Sequence, residues 1–549
     1  MKTSKSSLSI VFWVSLGIAS IFILWGILFP SNVESVLGTI DSFLASYFGW
    51  VYIIATTLFV LLAIFLIVGP FGRIRLGRPD EKPEYSYFTW FAFLFTAGMG
   101  VGLVFFGVSE PLTHYHNPPS ANPMSMAAAE ESLRYTLFHW GFHPWATYAI
   151  VALTLAYFKF RHHAPALISS ALTPILGKRT NGTLGFSVDI LAVFVTIFGI
   201  ATSLGLGASQ ITAGLSYTYN GFENNTTMTM IVIAIVTVLF ILSAMSGLDK
   251  GIRYLSWANI IIAVALMLFV FALSSPVRIF EGFTTTVGNY LQNLPSMTLG
   301  MNTFTGEREF LNDWTLFYWS WWIGWSTFVG TFIARVSRGR TIREFVLGVM
   351  AVPVVFSALW FAIFGIAGID LDNAYSGALY QIILDQGNEV ALFAFLEQYP
   401  FSPLILGIAI LLISSFFITS ADSATFVLGM LTTGGRLNPQ VKVKVIWGLI
   451  LSGTASVLLL SGGLQALEMA MLIAAFPFTF VVILMMVSLL KALSSEYDIL
   501  RLELKHKEWG KPYQEESKEE LKVMKEEFES TMPEEIVDEA MKDQTNHER

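Results

Sequence analysis

Cysteine is missing from all 549 residues, which excludes disulfide scaffolds, thiolate metal centres and thiol nucleophiles together. Charge is scarce too. Only 13% of the residues are Asp, Glu, Lys or Arg, and a net charge of -8 with a pI near 5.6 leaves no basic footprint for nucleic acid. There is no HExxH and no convincing Ser/His/Asp arrangement, so the chain is not read as an enzyme and no cofactor is expected. What fills the chain is apolar: 54% hydrophobic residues and a mean hydropathy of +0.62 give far more apolar segments than one water-facing core can bury. The composition implies an all-α polytopic membrane protein.

Stretches long enough to span a bilayer recur near residues 8–29, 47–69, 87–109, 134–158, 187–215, 229–247, 255–275, 313–334, 344–368, 402–432, 443–461 and 466–491, about twelve transmembrane helices. The first follows Lys2 and Lys5 as a signal peptide would, but it is about 20 residues long and no small-residue cleavage site follows, so a retained helix is expected. Basic residues fall on alternate connections: Arg73, Arg75 and Arg78; Lys159, Arg161 and Lys178; Lys250 and Arg253; Arg335, Arg338, Arg340 and Arg343; Arg436, Lys442 and Lys444. By the positive-inside rule these connections, and both termini, are cytoplasmic in a multi-pass cell-membrane protein. Ser275 to Asp313 contains a candidate surface helix with Phe283, Val287, Tyr290 and Leu291 on one face. The expected organisation is two N-terminal peripheral helices (1–86), helices three to seven (87–276), an amphipathic connecting helix (277–312), helices eight to twelve (313–492) and a charged, solvated cytoplasmic tail (493–549).

Five spans in each half would insert the second half upside down, the arrangement of an inverted repeat, whose binding site lies between interrupted helices near the midplane. Glycines mark one helix in each half: Gly98, Gly100 and Gly102 in helix three, Gly324 and Gly330 in helix eight. Helix eight also carries Trp319, Trp321, Trp322 and Trp325, more indole surface than an interfacial belt requires. Helix four opens with Trp140, Pro144, Trp145 and Tyr148, where Pro144 is expected to kink or restart the chain and turn Trp140 toward the other two. Together these rings suit a quaternary ammonium, each face contributing roughly 0.5 to 2 kcal/mol. His139 and His143 have i, i+4 spacing but no carboxylate near them in sequence, which favours capping or packing over zinc. Helix ten sets Thr419 and Ser420 beside an intramembrane Asp422. Glu110 is expected to cap or orient a helix end, and Asp189 to complement the start of helix five.

The glycine run with Ser109, Glu110 and Pro111, the His139–Trp145 stretch, Trp319 through Arg343, and Thr419 through Ser423 together resemble the betaine/carnitine/choline transporter family across the membrane region. The resemblance implies two peripheral helices before a five-plus-five inverted repeat, assembled as a homotrimer in the lipid bilayer. It implies an osmoprotective symporter that takes up glycine betaine with Na+ as coupling ion, by alternating access. Trp140, Trp145, Tyr148 and Trp322 would hold the substrate, with Trp321 and Trp325 along the pathway and Gly100 and Gly102 beside the carboxylate. One sodium would lie among Thr96, Ala97, Met99, Phe416, Thr419 and Ser420. A second would use Thr196 and Phe328, although Ile200 stands where a further hydroxyl is expected. Gly102, where proton-coupled choline members tend to carry aspartate, favours a zwitterion. Ectoine, proline, carnitine or choline are the alternative cargoes, and a channel or an intramembrane enzyme the alternative classes.

Overall fold

Backbone polar groups in a bilayer have no water to bond, so each spanning segment must satisfy its own, and the described residues accordingly form helices and no strand. The computed structural model describes residues 8–98, 100–219, 221–246, 249–301, 303, 308–508 and 515–532. Its main helices are α1 (Ile10–Leu28), α2 (Pro30–Val68), α3 (Tyr87–Gly98), α4 (Val101–His116), α5 (Met126–Trp140), α6 (Phe142–His162), α7 (Thr183–Thr218), α8 (Thr226–Ser246), α9 (Asp249–Leu273), α10 (Pro276–Thr298), α11 (Phe317–Val336), α12 (Ile342–Ala374), α13 (Ser402–Thr432), α14 (Val441–Glu508) and α15 (Glu515–Ser530).

Among the described residues, eight helices are long and apolar enough to cross a membrane. One of them is α14, whose apolar stretch of 62 residues would reach about 90 Å at 1.5 Å per residue, far beyond one crossing. It reverses at Gly462 and Gly463, the latter at φ +65°, a conformation glycine takes without the strain a Cβ would bring. The other apolar stretches also fall on helices. They are shorter or less apolar: α3 and α4 are the two short parts of a broken helix, α6 carries His143, Pro144, Trp145 and Tyr148 among its apolar residues, and α11 is rich in Trp, Tyr and Ser. The chain is an all-α polytopic membrane protein.

Helices α4, α6, α7, α11, α13 and the second arm of α14 pack about one another, with α1 and α2 against α14. Bare glycine edges set the spacing. A Cβ on Gly199 of α7 would stand 3.1 Å from the Gly324 carbonyl carbon of α11, and one on Gly330 would meet Val151 of α6. Gly324 and Gly330 therefore serve close packing, and α11 runs through both without the interruption expected from sequence. The irregular backbone on this side precedes α11, in a wide π-type turn over Leu311–Leu316.

Connections that the charge pattern assigns to one side meet at one end of the bundle. Leu76 N–H donates to Arg340 O at 2.8 Å and Gly339 N–H to Leu76 O at 2.7 Å. Arg161 donates to Gly77 O at 2.7 Å, and Arg340 to Tyr85 O at 2.6 Å. Thr341 and Glu344 form a reciprocal cap on α12 there. At the opposite end His116 bonds Asp372 at 2.6 Å and stacks on Tyr380, and Arg278 pairs with Asp370.

Three expectations are corrected by packing. Leu291 is 51% exposed: α10 buries Ile279, Thr286 and Tyr290, and the next residue lies about 100° further round the helix. Asp189 sits in the second turn of α7 and accepts from Ser169 N–H at 2.9 Å and Ser169 Oγ at 2.7 Å, so it holds a loop and does not complement the helix start. The tail is not wholly solvated. α14 continues past residue 493, Glu496 is buried beneath Tyr157 and Arg161, and α15 buries Leu521 while Phe528 packs edge-on against His162.

Glu496→Ala strands the Arg161 guanidinium among buried groups and should destabilise the protein by roughly 3 kcal/mol. The measurement is the thermal unfolding midpoint in detergent, and an unchanged midpoint would refute the role given to this pair.

Candidate substrate and ion site

The rings singled out in sequence come together. Trp140 ends α5, and Gly141, at φ -95° and ψ -128°, breaks the path before α6 begins at Phe142. The restart is therefore at Gly141 and not at Pro144, which occupies the third helical position, where a missing N–H leaves no intrahelical bond unmade. Tyr290 of α10 holds the junction by accepting the Phe142 N–H at 3.0 Å. The break turns Trp140 edge-on to Trp322 of α11, with ring centroids 4.9 Å apart and planes at 72°. Tyr148 approaches the same Trp322 edge-on at 6.2 Å and Trp145 at 5.5 Å. Trp321 stacks on Trp322 at 4.9 Å and meets Trp325 edge-on at 6.2 Å. All six rings are at most 5% exposed. The Tyr148 hydroxyl is buried, with no hydrogen-bond partner among the described residues.

The broken glycine helix runs along this cluster. A Cβ on Gly98 would come within 2.1 Å of Trp145 Cη2; on Gly102, within 2.5 Å of Trp321 and 3.1 Å of Trp140; on Gly100, 3.4 Å from Trp325. Gly100 is extended and caps α4, so the backbone N–H groups of the first turn of α4 have no intrahelical acceptor, and Gly100 and Gly102 in that turn lie next to the rings. Here the glycine break lies where the sequence places it.

Indole N–H groups buried this deeply need acceptors, and each acceptor fixes a ring. Trp140 donates to Glu110 Oε2 at 2.8 Å, Trp322 to His139 O at 2.9 Å, and Trp325 to Gly199 O and Ser203 Oγ, both at 2.9 Å. Trp321 donates to the same Ser203 at 3.2 Å. Glu110 also accepts from Tyr318 and, at 2.8 Å, from His139. It is fully buried in the interior of α4, so the expected helix-end role is wrong: α4 starts only after Gly100, which leaves Glu110 in the middle of that helix. Sequence reasoning missed Ser203, Gly199 and Tyr318 as well. An intramembrane acid such as Glu110 was a signal that something polar would face it, but nothing local pointed to its partners on α5 and α11.

The expected ion ligands are placed in part. Thr96 and Ala97 lie in the last turn of α3, and Met99 lies outside the described residues. Phe416 is buried on α13; Thr419 Oγ1 donates back to Ser415 O at 3.0 Å and accepts from Asn259 of α9 at 3.4 Å. Ser420 lies 3.8 Å from the Cβ position of Gly100, so α13 does face the glycine break. Thr196 bonds the hydroxyl of Thr327, the neighbour of Phe328, which offers an oxygen that the sequence reading did not name. Phe328 is edge-on to Trp325 at 5.6 Å. It also lines a cavity of about 390 Å³ with Lys159, Arg335, Asp422 and Ser423, at the end of the bundle where the basic connections meet.

Rings from three helices meet beside the glycine break inside an all-helical membrane bundle, and the family and relatives that the chain matches are transporters, not enzymes. Residues 10–498 match the model of the betaine/carnitine/choline family of transporters, and the chain belongs to that family. It is 50% identical over 491 residues to the glycine betaine transporter OpuD of Bacillus subtilis, covering 89% of this chain and 95% of that one. It is 40% identical to the ectoine/hydroxyectoine transporter of Virgibacillus pantothenticus, covering 88% and 96%. It is 39% identical to the osmo-dependent choline transporter BetT2 of Acinetobacter baylyi, covering 89% and 71%.

Gly102→Ala inserts a methyl group between Trp321 and Trp140 and should cost about 1–3 kcal/mol while displacing both rings. Intrinsic tryptophan fluorescence and the unfolding midpoint report this; a variant matching the parent in both would mean that the contact is slack.

Proposed function

We propose that the protein takes up glycine betaine with sodium by alternating access, serving osmoprotection. The observation that carries this reading is the convergence of Trp140, Trp145, Tyr148 and Trp322, from α5, α6 and α11, on one another. Indole and phenol faces attract a trimethylammonium group through their quadrupoles without requiring a carboxylate in contact with it. The substrate carboxylate would face the free N–H groups at the start of α4, beside Gly100 and Gly102, where a helix N-terminus favours an anion. Betaine brings its own compensating charge, so no aspartate is needed at residue 102. The 50% identity to a glycine betaine transporter supports this cargo over ectoine or choline.

Sodium would bind between the end of α3 and Thr419 and Ser420 of α13, with Phe416 lending a backbone oxygen. Thr196, Thr327 and Phe328 form a second candidate position. Each sodium entering down the membrane potential releases about 2.3 kcal/mol per 100 mV, and a zwitterionic cargo leaves that term available for accumulation. The cavity beneath Phe328 is read as the inward vestibule, which puts the basic connections and both termini in the cytoplasm of a cell-membrane protein. Residues 87–276 and 313–492 are read as the two inverted repeats, with α1 and α2 peripheral, and a homotrimer as the assembly.

Two measurements in proteoliposomes test the reading. Tracer betaine uptake should follow an imposed sodium gradient and saturate, and Trp322→Leu should raise KM by tenfold or more with expression unchanged; normal uptake by that variant would remove the cage. Replacing Thr419 and Ser420 together by Ala should shift the sodium titration to higher concentration, and an unmoved curve would place the ion elsewhere.

A further inference from the structure

Behind the rings, Glu110, His114 and His139 bring three metal-ligating atoms within 4.8 Å of one another, all fully buried. Glu110 and His114 are one turn apart on α4 and share a face. His139 comes from the last turn of α5. Glu110 Oε1 lies 2.8 Å from His139 Nδ1 and 3.3 Å from His114 Nε2. The ligand atoms of a tetrahedral ion with bonds of about 2.0–2.1 Å stand roughly 3.3 Å apart, so small side-chain adjustments would admit one.

His114 makes the case for a ligand. Among the described residues neither of its nitrogens has a hydrogen-bond partner although the ring is wholly enclosed, and Nε2 meets Glu110 outside hydrogen-bond geometry. Phe310 at 4.8 Å and Trp314 at 4.5 Å wall it in and offer no conventional acceptor. A buried polar group left unpaired is costly, and a cation on Nε2 would use one of the two nitrogens. The surrounding groups are those that orient metal ligands: His139 Nε2 lies 3.0 Å from Thr315 Oγ1, which would accept its proton, and Glu110 Oε2 accepts from Trp140 and Tyr318. A way in exists. A cavity of about 210 Å³ lined by Glu131, Arg134 and Asn293 reaches Phe310 and Thr315, the groups that touch His114 and His139.

We propose that Glu110, His114 and His139 form a site for a divalent transition ion of the zinc class, and that its occupancy slows transport. Two imidazoles and one carboxylate suit Zn2+, Co2+ or Ni2+ and not Na+ or Mg2+, which prefer oxygen. The ion would join α4 to α5 on either side of the ring cluster. It would also engage the carboxylate that holds Trp140 and the residue whose carbonyl holds Trp322. The second half of the proposal rests on the rings being the substrate site; the first half does not.

The test titrates Zn2+ into purified, tag-free protein by calorimetry, then repeats uptake in chelator-treated proteoliposomes with and without Zn2+. Wild type should bind one equivalent, rise in unfolding midpoint on binding, and lose at least half its uptake rate. His114→Gln should bind at least tenfold more weakly and transport regardless of Zn2+, while eluting on gel filtration as wild type does. His163→Gln, which changes an exposed histidine outside the cluster, should behave as wild type. Absence of saturable binding, or binding undiminished in His114→Gln, overturns the site. Binding that leaves uptake untouched overturns the brake. One-equivalent binding by a protein that moves no betaine would sustain the site and strike only the transport reading.

Discussion

An indole N–H inside a membrane-spanning bundle has no water to turn to, so it must find a protein acceptor or leave a buried donor unpaired. This requirement governs the centre of the molecule. Trp140 points where Glu110 is, Trp322 where the His139 carbonyl is, and Trp325 and Trp321 share Ser203. The acceptors lie on α4, α5 and α7 and the rings on α5 and α11, so satisfying the donors also docks the helices. Ring orientation and helix packing are one arrangement here.

Bare backbone is the complement of that aromatic bulk. The rings occupy the space that side chains at Gly98 and Gly102 would need, and these residues end α3 and lie in the first turn of α4. Breaking the helix there leaves N–H groups at the start of α4 without intrahelical acceptors, next to the rings. Elsewhere glycine works without unwinding anything: Gly199, Gly324 and Gly330 let α6, α7 and α11 approach while the helices stay whole. Identical residues serve different ends because what opposes them differs.

The ends of the bundle are held by polar contacts of a different kind. Loops carrying Arg75, Gly77, Arg338 and Arg340 bond one another's backbones, and Glu496 draws Tyr157 and Arg161 down onto α14. These connections are far apart in sequence and close only because the helices between them share one length scale, the thickness of the membrane. The cavity under Phe328 lies within this basic end, lined by Lys159, Arg335 and Lys444 as well as Asp422.

Sequence alone determined the helical class, the apolar segments, the break among the glycines of α3 and α4, and which rings would meet. Each follows from a local property: twenty apolar residues must span, alternate glycines weaken a helix, and indoles this dense exceed what lipid-facing positions require. Tertiary structure decided the partners. Glu110 reads as a helix-end acid until the fold sets it between His139, Trp140 and Tyr318; His139 reads as a capping residue until Glu110, 29 positions away, comes within 2.8 Å of it. Gly324 reads as a helix interruption until α7 is packed against it, and the tail reads as solvated until Glu496 finds Arg161. Hydrophobic period and glycine spacing act within a few turns of one chain segment, whereas a buried hydrogen bond is chosen by whichever group the assembled bundle brings within about 3 Å, and no local pattern carries that distance.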